Sequence, residues 1–202
     1  MSKALFVAID VKEDHKADIA AFLRDALGAV TDEPETRNWY ALHFATGDFA
    51  IFDTFPDVMG QLKHLFGKVG RSLLMKSFTE VDGFPGIHSA DLIAAKPPLR
   101  GMIARHALYV PMKAQPGKEK AVADFLSAAL SMVLDEPGTA AWYALDFGGG
   151  HFAIFDVFAD SIARDAHLAG PVAAALIARA NELLASPPEI RGAEVLAAKT
   201  FA

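Results

Sequence analysis

Two histidines and two aspartates recur at one spacing in this 202-residue chain: His64 with His167 and Asp53 with Asp156, each pair 103 positions apart (167 − 64 and 156 − 53). A histidine titrates near neutrality, so it can take the proton of a phenol or quinol hydroxyl. A carboxylate beside it can orient the imidazole or bind a substrate hydroxyl. The resulting phenolate is an electron-rich anion that can react with O2 directly, with no metal or flavin. The plainer reading is structural. The histidine would fix the start of a helix against a sheet, and the aspartate would make a buried hydrogen bond, because an unpaired buried carboxylate is costly.

Aromatic residues repeat at the same spacing. Trp39-Tyr40 becomes Trp142-Tyr143. Neighbours on a strand face opposite sides of a sheet, so one of each pair can wall a pocket for a planar ligand while the other packs a core. His43 and Asp146 occupy equivalent positions, as do Asp48 and His151, and these differ between the copies as solvated surface does. The seven histidines show neither HxH nor HExxH spacing, which gives no metal signal. Gly148-Gly149-Gly150 reads as a hairpin tip and not as a phosphate cradle.

The elements that position these residues come in two copies. Residues 4–96 align on 107–199 without a gap and with about 40% identity, so the chain is a tandem duplication. Each copy reads strand, helix, strand, strand, helix, strand. The first strand is expected over 4–11 and 107–112, with Pro111 marking a strand end or edge. Ile19, Phe22, Leu23, Ala26, Leu27 and Val30 form the apolar stripe of a first helix, matched by Val122 to Val133. Strands over 38–44 and 49–55 flank a short turn at Gly47, a hairpin signal. A second helix is expected from the N-cap Asp57 past Leu73, and from Asp160 to Leu184 in the second copy. Closing strands fall at 87–95 and 190–198. Lys96-Pro97-Pro98-Leu99-Arg100-Gly101 is a break that neither helix nor sheet can cross. The division expected is therefore a first module at 1–96, a linker at 97–106 and a second module at 107–202.

The strands are apolar on both faces, so each sheet must be covered twice. Helices can cover one face, and the second copy's sheet is expected to cover the other. The fold class expected is α+β: two tandem ferredoxin-like βαββαβ modules forming an intramolecular dimeric α+β barrel. The smaller side chains of Val172-Ala173-Ala174-Ala175-Leu176, against Val69-Gly70-Arg71-Ser72-Leu73, point to copy two as the copy with room for a ligand.

The pattern resembles the antibiotic-biosynthesis-monooxygenase family of dimeric α+β barrels. Pro116-Gly117-Lys118-Glu119 looks like the family's turn before helix one. Glu136-Pro137-Gly138-Thr139 followed by Trp142-Tyr143 looks like its entry to strand two. Phe155-Asp156-Val157-Phe158, followed by a helix with His167-Leu168, resembles its third strand. Copy one matches with Glu33-Pro34-Glu35-Thr36, Trp39-Tyr40, Phe52-Asp53-Thr54-Phe55 and His64-Leu65. The resemblance implies a cofactor-independent monooxygenase acting with O2 on a quinol-like or polycyclic phenolic molecule. His64, His167, Asp53 and Asp156 would be catalytic, and Trp39, Tyr40, Trp142 and Tyr143 would bind substrate. The alternative is a non-catalytic small-molecule-binding or stress-response barrel.

Composition bounds the partners. A net charge of −6 without clustered Lys/Arg argues against nucleic acid and anionic membranes. No cysteine is present, which removes disulfides and thiolate chemistry. The expected partners are a small aromatic molecule and O2, with no cofactor and no metal. The protein is expected in the cytoplasm, as a monomer that is internally a pseudo-dimer, or as a homodimer.

Overall fold

The computed structural model describes residues 2–77, 79–98 and 101–200. Leu99 and Arg100 of the expected linker lie outside the described residues. The fold class is α+β, and each repeat runs in the expected order. In the first repeat β1 (Lys3–Ile9), α1 (Lys16–Thr31), β2 (Asn38–Phe44) and β3 (Phe49–Phe55) are followed by α2 (Val58–Leu65), α3 (Lys68–Ser77) and β4 (Gly86–Lys96). The second repeat has β5 (His106–Lys113), α4 (Glu119–Leu134), β6 (Thr139–Gly148) and β7 (His151–Phe158). After these come α5 (Ser161–Leu168), α6 (Pro171–Leu183) and β8 (Arg191–Thr200).

Two local readings are corrected. The second helix of each repeat is two helices, broken just after the histidine. Gly67 N–H bonds back to His64 O at 2.9 Å, and a side chain at Gly70 would meet the Leu65 carbonyl. In the second repeat Gly170 N–H bonds to His167 O at 2.9 Å, and Pro171 then starts α6. The N-caps fall where expected, since Asp57 accepts from Gly60 N–H at 2.9 Å and Asp160 from Ala163 N–H at 2.8 Å. Pro111 sits within β5, opposite Ala153, rather than at a strand end.

The chain forms two compact units, Met1–Ala90 with Glu194–Phe201, and Asp91–Ala193. The final strand of each repeat therefore contributes to the unit built around the other repeat. In unit 1 the hydrogen-bonded order is β1-β3-β2-β8, and in unit 2 it is β5-β7-β6-β4. In unit 2, Lys96 pairs across from Trp142 and Ala95 from Tyr143.

Each unit packs one sheet face on its helices. In unit 1 Ile19, Leu23, Ala26 and Val30 of α1 meet Leu5, Val7, Trp39 and Ile51 of the sheet, with Val69 and Leu73 from α3. In unit 2 the equivalent positions pack, Leu108 apart, and the longer α6 adds Ala180 and Leu183, while Leu184 stands where Val81 packs in unit 1. Unit 1 has Ser77 and Glu80 where Ala180 and Leu183 stand.

The exchanged strands also bring a lysine to a helix end. Lys199 of β8 is buried and donates to the carbonyls of Val30 at 2.8 Å and Glu33 at 2.5 Å, at the C-terminus of α1. Lys96 of β4 does the same at α4, to Val133 O at 2.9 Å and Glu136 O at 2.6 Å. A cation there satisfies carbonyls that the helix leaves without partners and meets the negative end of its dipole. Replacing Lys199 by Met keeps the stem and removes the ammonium. The expected loss is about 2 kcal/mol, the scale of charge-assisted hydrogen bonds, read as a lower urea midpoint. An unchanged midpoint would mean that water replaces the ammonium without loss.

Candidate functional site

The chain turns at Asp32-Glu33-Pro34, directly after α1, where Glu33 N–H still bonds to Val30 O at 3.0 Å. Proline forbids a further helical turn, and residues 35–37 lead into β2. The turn leaves the Glu33 side chain beside α2. His64, one residue from the end of α2, has its imidazole between two carboxylates. Nδ1 lies 2.5 Å from Glu33 Oε2, and Nε2 lies 3.0 Å from Asp53 Oδ2. Thr36 donates to Glu33 Oε2 at 2.8 Å, and its hydroxyl is 3.2 Å from His64 Nδ1. The Phe55 ring is tilted against the imidazole at 5.4 Å.

Asp53 comes from the centre of β3. Its cross-strand neighbours are Leu5 on β1 and Trp39 on β2, so the carboxylate stands in an apolar sheet face, fully buried. His64 Nε2 meets Asp53 Oδ2 as a buried ion pair, and Asp53 Oδ1 has no hydrogen-bond partner among the described residues. The indole N–H of Trp39, directly across from it, has none either. Trp142 Nε1 and Asp156 Oδ1 of unit 2 likewise have no hydrogen-bond partner among the described residues.

The electrostatics follow from burial and pairing. Burial alone would push His64 down, but Asp53 and Glu33 outweigh it and carry the imidazole up to about 10. His64 is thus an imidazolium at neutral pH. Burial pushes Asp53 up, with His64 opposing. Glu33 loses some hydration, yet the hydrogen bond and charge of His64 hold it below the usual carboxylate range.

A cavity of about 130 Å³ lies over this pair in unit 1. Leu5, Val7 and Ile51 of the sheet and Val69 and Leu73 of α3 make its apolar walls, with Asp53 and His64 as its polar groups. Leu74, Phe84 and Ile87 form its rim and are half or more exposed. On the other side of His64 is a polar groove lined by Glu33, Glu35, Thr36 and Lys63. In unit 2 Ala180 and Leu183 of α6 join the helix-side core. This cavity belongs to copy one.

Unit 2 repeats the cluster more loosely. His167 Nδ1 lies 2.6 Å from Glu136 Oε2, and Nε2 is 3.6 Å from Asp156 Oδ2. Thr139 donates to Glu136 at 2.7 Å. Burial raises the Asp156 carboxyl to about 7, with His167 opposing.

Of the residues singled out from the sequence, the structure brings His64 to Asp53 and His167 to Asp156. Trp39 and Trp142 share the aspartate face and pack in the helix-side cores. Tyr40 and Tyr143 are on the opposite face, stacked on Phe52 at 6.3 Å and on Phe155 at 6.2 Å. Glu33, Glu136, Thr36 and Thr139 were read only as turn and motif residues. Their repetition at the spacing of the histidines was the available signal. The two carboxylates meet opposite nitrogens of one ring, so they do not converge on a point where a metal ion would sit.

No family model matches the chain, and no curated protein matches it. Solved structures do. One, provisionally named a monooxygenase, from Fusobacterium nucleatum subsp. nucleatum, is 15% identical, with 98% of this chain and 94% of that one covered and a TM-score of 0.85. An anthrone oxidase-like protein is 11% identical over 98% of this chain and 92% of its own, with a TM-score of 0.68. A protein of unknown function from Nitrosomonas europaea is 52% identical over 50% of this chain and 99% of its own, with a TM-score of 0.49. The fold of this chain is the antibiotic-biosynthesis-monooxygenase-like dimeric α+β barrel.

Proposed function

We propose that unit 1 binds a small, largely apolar phenol or hydroquinone and activates it toward O2 by removing its hydroxyl proton. The observation that carries this reading is a fully buried carboxylate, Asp53, on the wall of an apolar cavity and paired with His64 through one oxygen only. Asp53, rather than His64, is the proton acceptor. An imidazole held protonated between two carboxylates has no lone pair to offer, whereas a carboxylate raised by burial takes a proton readily. His64 holds Asp53 in place and balances its charge. The substrate hydroxyl donates to Asp53, which lines the cavity. The anion itself then supplies the electrons that O2 takes. The likeness to an anthrone oxidase-like structure supports an oxygen-using reaction.

Size narrows the substrate. An apolar cavity of roughly 150 Å³ holds one benzene ring, so about 130 Å³ suits a single ring and not a fused polycycle. Oxygen uptake by the purified protein against a panel of hydroquinones and anthrols tests the reading. Uptake is expected with the monocyclic members. No uptake across the panel would favour the second reading, a barrel that binds small molecules without chemistry. That reading has its own support, because both units keep the Glu–His–Asp cluster, as a structural element would.

A further inference from the structure

We propose that Asp53, His64 and Glu33 form a proton relay from the apolar cavity to the polar groove at the surface of unit 1. This rests on the cavity being a phenol site. The three side chains are in series, with Asp53 Oδ2 3.0 Å from Nε2 and Glu33 Oε2 2.5 Å from Nδ1. Asp53 lines only the cavity, Glu33 lines only the groove, and His64 lines both. Exposure follows the same direction: the Asp53 side chain is 0% exposed, that of His64 6% and that of Glu33 22%. This chain of groups gives a proton released between the apolar walls a path to the groove.

The transfers balance. The phenol O–H bond breaks and its proton goes to the Asp53 carboxylate. The imidazolium gives its Nδ1 proton to Glu33, and Glu33 sheds it to water in the groove. One proton enters the cluster as another leaves, so its net charge is the same before and after. The phenolate stays in the cavity, and His64 is left neutral with Nε2–H toward the protonated Asp53. The Thr36 hydroxyl on Glu33 Oε2 and the Lys199 ammonium on the Glu33 carbonyl hold the outer carboxylate in line. Lys63 is paired with Glu35 at 3.0 Å, on the same groove but outside the relay.

The test needs no oxygen chemistry. 4-Nitrophenol is mixed with the protein in weak buffer under nitrogen, and proton release is followed with an indicator dye in stopped flow. Wild type is expected to release a proton on binding. Glu33→Gln should bind within about twofold of wild type and release the proton at least about tenfold more slowly. Glu33→Asp keeps an acid but withdraws it from Nδ1, and should also be slow. Glu35→Gln should match wild type. Release by Glu33→Gln and Glu33→Asp at the wild-type rate overturns the relay and leaves the phenol site standing, as does binding by wild type with no release. Failure of wild type to bind 4-nitrophenol overturns the phenol site, and the relay with it.

Discussion

Asp53→Asn is expected to lower kcat for hydroquinone oxidation by about a hundredfold to ten-thousandfold, the range spanned by positioned acid–base groups. The amide has the volume of the carboxylate and cannot take a proton. The walls formed by Leu5, Val7, Ile51, Val69 and Leu73 are untouched by the change, so KM should move only a few-fold. Losses confined to the chemical step are what removal of a transition-state interaction produces. Asp156→Asn is the matched control. It changes the equivalent residue of unit 2, where His167 stands 3.6 Å away, and it should leave kcat near wild type. A kcat that survives Asp53→Asn would remove Asp53 from the mechanism. Equal losses in the two variants would point to stability as the cause.

The second large effect is on stability. His64→Ala leaves Glu33 and Asp53 as buried or half-buried carboxylates without their shared cation. Breaking a buried ion pair by deleting one partner costs about 3–5 kcal/mol, and urea denaturation at pH 7 should show a loss on that scale. The double variant His64→Ala/Asp53→Asn should recover part of it, because the orphaned charge is gone. The pH dependence has a definite sign. His64 is raised from 6.5 to about 10 in the folded protein, so its contribution is complete below pH 6.5 and is lost as pH rises through 10. Asp53 is also raised, so the folded state again binds the extra proton and stability falls with rising pH. Glu33 is lowered, by His64 and by the nearby Thr36 and Lys199. Its contribution is present above its ordinary value and is lost in acid. Wild type should therefore lose stability steadily from about pH 7 to pH 10, and His64→Ala should show a flatter profile. Parallel profiles would mean that His64 is not held protonated.

The legible parts of this fold are those set by local pattern. The first helices carry a 3.6-residue apolar stripe, the hairpins have glycine turns, and a gapless repeat doubles every signal. Strands apolar on both faces showed that the sheets must be covered twice, but burial does not say which strand lies beside which. The placing of β4 next to β6 and β8 next to β2 is a matter of pairing, and Ala94-Ala95-Lys96 reads the same whichever sheet receives it. The role of Lys96 and Lys199 was hidden for that reason. His64 and Asp53 were found because a histidine and an aspartate are conspicuous in apolar surroundings. Glu33 and Thr36 were not, because a turn of Asp-Glu-Pro looks complete as a helix stop. The extent of the core depends on where a helix ends: Ser77 and Glu80, at and just beyond the end of α3, stand where Ala180 and Leu183 join the core of unit 2, a difference felt only once the helices are packed.

The central claim is that one phenol binds per chain, in unit 1. Titration calorimetry with a monocyclic hydroquinone under nitrogen tests it most directly, on wild type and on two rim variants. Leu74 borders the cavity and is half exposed, and Ile177 is its exposed counterpart in unit 2, so a tryptophan at either position should be tolerated by the fold. The expected result is one site per chain in wild type, lost in Leu74→Trp and kept in Ile177→Trp. Two sites, no binding, or binding that survives Leu74→Trp would contradict it.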